Sequence, residues 1–137
     1  MRFPCSRRQA ARARRYFSRY LCTQQLPAAF IAELESAVGE AIANSIEHGY
    51  PEAQFFELRC SVTPNNVFVE VEDDGPGFRG ESVSSLPGAT RGFGFGIMRA
   101  SADELYVLKN GRLIRFVKRA PRELTLATTS EQPAFEV

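Results

Sequence analysis

A carboxylate and a carboxamide lie one helical turn apart near the middle of the chain. Glu40 and Asn44 are separated by four positions, so on a helix both side chains leave the same face. A glutamate can accept a proton from a hydroxyl group or from water. An asparagine offers a neutral oxygen, a hard ligand that suits Mg²⁺ when phosphate oxygens complete the shell. Such pairs are also common on solvated helices, so the pair alone indicates little.

An acidic turn follows the alternating strand that ends near Val71. It contains Asp73, Gly75 and Gly77. A carboxylate at a strand end can accept a hydrogen bond from an exocyclic amine such as that of adenine. The glycines permit unusual backbone geometry and leave room for a flat base. The same residue types form ordinary turns, so this segment is also weak by itself.

A glycine-rich segment precedes a short helix that we predict from Gly96 to Asp103. Gly92, Gly94 and Gly96 form a loop in this prediction, with backbone N–H groups and the positive end of the helix dipole facing phosphate oxygens. No parallel strand leads into the loop, which excludes a dinucleotide fold. No Gly-Lys-Ser/Thr follows, which excludes a Walker A loop. The order of all three segments predicts a site for Mg-ATP.

Hydrophobic periodicity predicts the elements that must position these segments. We expect helices from a Ser6 N-cap to about Thr23 and from Ala28 to Glu47, strands over 54–63, 67–71, 104–108 and 112–118, and an edge strand at 2–4. Asn110-Gly111 marks the last hairpin. This order predicts an α+β two-layer sandwich with helices on one face of a mostly antiparallel sheet. Residues 1–119 form one domain in this prediction, and 120–137 form a polar, flexible tail.

Composition excludes several classes of protein. The chain has 137 residues, a net charge of +1, three cysteines and one histidine. We therefore expect neither a disulfide framework nor a zinc site, and a cytoplasmic setting. No signal peptide and no membrane span are predicted. Arg8, Arg12, Arg15 and Arg19 share a helix face, which indicates a solvated surface or an acidic protein partner rather than direct binding of nucleic acid.

As a set, the segments resemble the boxes of the GHKL (histidine-kinase-like) ATPase superfamily. Residues 37–50, 71–78 and 91–99 are similar to the RsbW/SpoIIAB-type anti-sigma serine/threonine kinases, and the resemblance covers 1–119. It implies that Glu40 is the general base, that Asn44 coordinates Mg²⁺ and that Asp73 binds the adenine amine. Gly75 and Gly77 would shape the base pocket, 78–91 would be the ATP lid, and Gly92, Gly94 and Gly96 would hold the phosphates. From its position, Arg91 would reach the γ-phosphate.

The resemblance also implies partners. These are a STAS-domain anti-sigma antagonist as phosphorylated substrate, an alternative sigma factor and a second copy of the chain. Two alternatives stay open: a switch kinase of a stress-signalling module, and a non-catalytic module whose docking is gated by nucleotide. The chain departs from the family pattern at Arg112, where threonine is frequent near the adenine, and at Gly39, where serine is frequent.

Overall fold

An antiparallel sheet with helices on one face carries the described elements. The computed structural model describes residues 1–49, 53–77, 92–121 and 135–136. In chain order the elements are β1 (Arg2–Pro4), α1 (Arg7–Cys22), α2 (Ala28–Gly49), β2 (Phe55–Val62), β3 (Asn66–Asp73), α3 (Gly92–Ser101), β4 (Glu104–Leu108), β5 (Leu113–Arg119) and β6 (Phe135–Glu136), with a 3₁₀ turn at Lys109–Gly111.

The strands pair in the order β1-β2-β3-β5-β4, and every pairing is antiparallel. β6 also pairs with β2. β1 covers residues 55–57 of β2 and β6 covers residues 59–60, so the two short strands share one edge. The predicted α+β two-layer architecture is confirmed.

The two-residue period of the strands separates the sheet into an inner and an outer face. Leu58 lies opposite Val71, and Val71 lies opposite Ile114. All three side chains are buried. Because side chains alternate along each strand, this register collects the apolar residues of β2, β3 and β5 on the face that the helices cover.

The helix ends follow local chemistry. The Ser6 side chain accepts a hydrogen bond from the backbone N–H of Gln9, which caps α1 as predicted. α2 begins directly after Pro27, whose fixed φ suits a helix start, and ends at Gly49. The arginines at 8, 12, 15 and 19 are all exposed on α1.

Helices and sheet meet in one apolar core. Phe17 from α1, Leu34 from α2, Phe56 from β2 and Phe116 from β5 are all fully buried. Burial of a side chain of this size contributes about 1.5–3 kcal/mol. α2 therefore lies in a fixed position on the sheet, and its site residues are fixed with it.

The outer face of the sheet is polar. The Arg59 guanidinium lies 2.8 Å from the Glu70 carboxylate and 2.7 Å from that of Glu57. Arg115 approaches the other oxygen of Glu70 at 2.9 Å. These groups are partly exposed, and such pairs contribute about 0–1 kcal/mol each. They keep this face hydrated and add little to the stability of the fold.

One helix boundary differs from the prediction. α3 begins at Gly92 rather than after the glycines, so Gly92, Gly94 and Gly96 lie in its first turns. The predicted glycine loop is wrong in that respect. Glycine is a poor helix former, but α3 packs along α2, and tertiary packing overrides local propensity.

Three further features of the described residues complete the fold. The segment predicted as a tail ends, at residues 135–136, in the strand β6. Among the described residues no helix combines the length and the apolarity needed to cross a membrane. The three cysteines are free thiols: Cys60 is buried, Cys5 is half-buried and Cys22 is exposed.

Replacement by alanine should have opposite effects on the stability of the protein at two glycines outside α3. A methyl group at Gly39 would lie 3.7 Å from Nε of Arg14, an ordinary contact. Because glycine in a helix interior costs conformational entropy, Gly39→Ala should raise the free energy of unfolding by about 0.5–1 kcal/mol. Urea denaturation, with the slope of the transition unchanged, measures this difference.

The matched variant is Gly77→Ala. Gly77 has φ of 78°, and a methyl group there would lie 2.6 Å from the backbone oxygen of Asn110. We expect Gly77→Ala to lower the free energy of unfolding by at least about 1 kcal/mol. If Gly39→Ala destabilised the protein as much as Gly77→Ala, the space described between Gly39 of α2 and Arg14 of α1 would be wrong.

Candidate functional site

Helix α2 places Glu40 and Asn44 on one face, as predicted. Glu40 is half-buried. Asn44 is only 6% exposed, and its amide nitrogen has no hydrogen-bond partner within the described structure. A buried amide group without a partner costs roughly 1–3 kcal/mol, so it is unusual unless a ligand completes it.

The amide of Asn44 can present either of its ends to a ligand. Rotation about its last side-chain bond exchanges the oxygen and the nitrogen. With the oxygen outward, Asn44 offers the neutral hard ligand that Mg²⁺ accepts beside phosphate oxygens. In the described part of the chain, no group of three or more His, Cys, Asp or Glu side chains could hold a metal ion. The single neutral amide oxygen of Asn44 fits a Mg²⁺ ion whose other ligands come from phosphate groups and water.

Asp73 ends β3 and is buried, with 7% of its surface exposed. The backbone N–H of Gly75 donates to its carboxylate at 2.8 Å, and the Ser45 side chain hydrogen-bonds to it as well. Burial raises the pKa of Asp73 from 3.8 to about 6, although both hydrogen bonds favour the charged form. The carboxyl can therefore accept a hydrogen bond from a ligand in a place that is shielded from water.

The hydrogen bond from Ser45 joins two of the predicted segments. Ser45 follows Asn44 on α2, and its partner Asp73 belongs to the acidic turn. This role of Ser45 was not predicted from the sequence, because Ser45 lies on the apolar face of α2. A polar residue at a buried helix position, next to a predicted ligand, was the signal that could have revealed it.

The acidic turn packs against the turn between β4 and β5. The backbone N–H of Asp73 donates to the carbonyl oxygen of Arg112 at 2.9 Å. Gly77 approaches Asn110 closely, as described above, and Gly75 is buried. Arg112, which departs from the family pattern, is therefore a direct neighbour of the candidate adenine acceptor.

The neighbouring carboxylate, Asp74, has a structural role. Its oxygen accepts hydrogen bonds from the backbone N–H groups of Gln54 and Phe55 at 2.8 and 3.0 Å. These bonds fix the start of β2 beside the end of β3. Asp73 and Asp74 are adjacent in sequence, but the first is turned to the interior and the second to the strand edge.

The glycines of α3 complete the described part of the site. The first turn of a helix has backbone N–H groups without intrahelical partners, which suits an anion. Gly96 is exposed, and a methyl group there would meet no atom within 4 Å. Arg91 and the predicted lid over 78–91 lie outside the described residues.

A cavity of about 690 Å³ extends along α2 from Glu40. Glu40 and Ala43 of α2 and Ile97, Ala100 and Ser101 of α3 line it. The structure thus brings Glu40 and α3 to one opening, and joins Asp73 to the residue beside Asn44. It shows no contact between Glu40 and Asp73.

Comparison with known proteins agrees with this arrangement. Residues 3–118 match the family described as "Histidine kinase-like ATPase domain". The "Anti-sigma F factor" of Clostridium novyi (strain NT) is 33% identical over 101 residues, covering 65% of this chain and 71% of that protein. The "Anti-sigma F factor" of Thermoanaerobacter sp. (strain X514) is 31% identical over 99 residues, covering 64% and 69%. The chain therefore belongs to the histidine kinase-like ATPase domain family, and anti-sigma F factors are among its relatives.

Proposed function

We propose that this protein is an ATP- and Mg²⁺-dependent protein serine/threonine kinase that acts as an anti-sigma factor. Its substrate is a STAS-domain antagonist protein, and its second partner is an alternative sigma factor. Residues 1–119 are the kinase domain in this proposal, and the active form is a homodimer in the cytoplasm. The names of the relatives support the sigma-factor partner.

The position of Glu40 carries the proposal. Its carboxylate lines an open cavity next to the first turns of α3, and the described structure gives it no hydrogen bond or ion pair. A nucleotide-gated binding module would need no free carboxylate at that point. A kinase needs one, because the acceptor hydroxyl must lose its proton as it attacks.

The chemistry assigned to Glu40 is a single proton transfer. The acceptor oxygen of a serine or threonine bonds to the γ-phosphorus of ATP, and the bond from that phosphorus to the β–γ bridging oxygen breaks. Glu40 takes the hydroxyl proton, and ADP leaves. Bound Mg²⁺ would neutralise negative charge on the phosphates.

The other residues bind and orient. Asn44 supplies the protein ligand to Mg²⁺, and its unpartnered buried amide supports that role. Asp73 accepts the hydrogen bond of the adenine amine, with Gly75 and Gly77 forming the floor for the base. The backbone N–H groups at Gly92, Gly94 and Gly96 hold phosphate oxygens, and Arg91 contacts the γ-phosphate. Positioning of this kind supplies much of phosphoryl-transfer catalysis.

The direct test is transfer of labelled phosphate from ATP to a STAS-domain protein of the same organism. Glu40→Gln should reduce transfer about 10²–10⁴-fold, the usual contribution of a general base, and leave the Kd for ATP unchanged. Glu104→Gln, which makes the same change at an exposed position of β4, is the control. Transfer that survives intact in Glu40→Gln removes the base assignment. ATP binding without transfer by the wild type indicates a nucleotide-gated module instead.

The burial of Asp73 should cost stability at neutral pH. Its pKa is higher in the folded than in the unfolded chain, so the folded state holds the extra proton between pH 3.8 and about 6. Stability therefore falls as pH rises through this interval. Asp73→Asn should raise the free energy of unfolding at pH 7.5 by on the order of 1–3 kcal/mol, with little gain at pH 4.

The same variant should bind ATP more weakly, because a carboxamide is a poorer acceptor for the adenine amine. Urea denaturation at the two pH values and titration with ATP measure both effects. An Asp73→Asn protein that gained no stability at pH 7.5 would show that the carboxyl is better hydrated than its position implies.

Asn44→Ala tests the Mg²⁺ ligand. Mg-ATP at about 100 times its Kd stabilises a protein by roughly 2.7 kcal/mol, and we expect most of that to disappear in the variant. Without nucleotide the variant should be no less stable than the wild type, since it removes a buried amide nitrogen that lacks a partner in the described structure. Thermal unfolding with Mg-ATP, and with ATP plus EDTA, separates metal from nucleotide. Ser36→Ala, at an exposed position of the same helix, should keep the full shift.

A further inference from the structure

We propose that Lys118 of β5 is a positioning residue for the phosphates of the nucleotide. By holding the carboxyl end of α3 against α2, it sets the place at which the amino end of α3 presents its backbone N–H groups. Lys118 itself touches no phosphate in this proposal. The inference rests on the proposed nucleotide site, because it concerns how that site is kept in place.

Lys118 is an exception on the inner face of the sheet. Side chains alternate along β5, so Lys118 shares a face with Ile114 and Phe116, which are both buried in the core. Its own side chain is only 14% exposed. A lysine at such a position is costly unless its ammonium group is paired, so its contacts indicate its role.

The ammonium group of Lys118 joins β5 to both helices. Nζ lies 2.5 Å from the carboxylate of Glu33 on α2 and donates to the carbonyl oxygen of Ser101, the last residue of α3, at 3.0 Å. It also lies 5.1 Å from the centre of the Phe30 ring on α2. A cation at the carboxyl end of a helix meets carbonyl groups without intrahelical partners and the negative end of the helix dipole. Lys118 thus caps α3 and ties it to α2.

The amino end of α3 is rich in glycine, which supplies no side chain for packing. Three of its first five residues are Gly92, Gly94 and Gly96, and a methyl group at Gly96 would meet no atom within 4 Å. Among residues 96–101, the buried ones are Met98 and Ser101. Met98 fixes one point of the helix in the core, and the contact with Lys118 fixes a second. Together they set the direction of the helix axis.

A small change in that direction matters at the other end of the helix. α3 has 10 residues and is therefore about 15 Å long, so a tilt of about 10° at its carboxyl end moves its amino end by roughly 2–3 Å. Hydrogen bonds to phosphate oxygens tolerate much less than this. Asp73, the candidate acceptor for the base, lies on β3 and bonds to α2 rather than to α3. Release of α3 should therefore weaken the contacts of the phosphates and spare those of the base.

The test compares ATP with adenosine, which has the same base and no phosphates. Lys118→Met keeps the length of the side chain and removes its charge. We expect the Kd for Mg-ATP to rise about tenfold or more, and the Kd for adenosine to change by less than about twofold. Isothermal titration calorimetry measures both values. Arg115→Met, which removes a paired cation from the outer face of the same strand, is the control and should change neither.

Glu33→Gln is a second variant that changes the same contact. The Glu33 side chain is 53% exposed, so this variant should fold even if Lys118→Met does not. It leaves Lys118 at the carbonyl oxygen of Ser101 and weakens the tie to α2. We expect the Kd for Mg-ATP to rise about threefold, with the Kd for adenosine again unchanged.

The outcomes separate this inference from the proposed function. Equal losses of affinity for ATP and adenosine in Lys118→Met would show a general structural role and overturn the inference. Unchanged affinity for both ligands in every variant that folds would also overturn it, and would leave the nucleotide site intact if the wild type binds Mg-ATP more tightly than adenosine. A wild type that binds Mg-ATP no more tightly than adenosine would overturn the phosphate site, and this inference with it.

Discussion

The buried carboxyl of Asp73 is the constraint on which the rest of the site depends. It lies at the end of β3, accepts from the backbone of Gly75 and bonds to Ser45 of α2. Strand, turn and helix therefore meet at one carboxyl group. The turn geometry on one side and the position of Asn44 on the other both follow from this contact. Loss of that contact would separate the candidate base pocket from the candidate metal ligand without touching the apolar core.

The candidate site breaks local rules that the rest of the chain obeys. Asp73 is buried with a raised pKa, Asn44 has an unpartnered amide, and α3 opens with three glycines. Each of these three features is unfavourable for the stability of the protein without a bound ligand. Elsewhere, β2 and β3 alternate regularly and α1 has a regular cap. Local conflicts concentrated at one place, within an otherwise consistent fold, are typical of a binding site.

Periodicity made most of the fold predictable. Alternation indicated the inner and outer faces of β2 and β3, Ser6 marked the start of α1, and Asn110-Gly111 marked the last hairpin. Pairings between distant elements were not predictable, because a period identifies a buried face but not the group that covers it. The bond from Ser45 to Asp73, the ion pair between Lys118 of β5 and Glu33 of α2, and the pairing of β6 are of this kind. The start of α3 was predicted at Gly96 rather than Gly92, because glycine disfavours a helix and only packing on α2 supports one there.

β1 and β6 lie one after the other along the same edge of β2, and this affects pairing between protein molecules. β2 is rich in apolar and aromatic residues, and a long strand of this composition at a sheet edge is a template for pairing between molecules. Two strands of three and two residues divide that edge into short pieces, and the N–H of Leu58 between them donates to the carbonyl oxygen of Met1. The backbone of β2 is thus paired within the chain along residues 55–60 of that edge. Segments from opposite ends of the sequence together protect the protein from aggregation through this edge of the sheet.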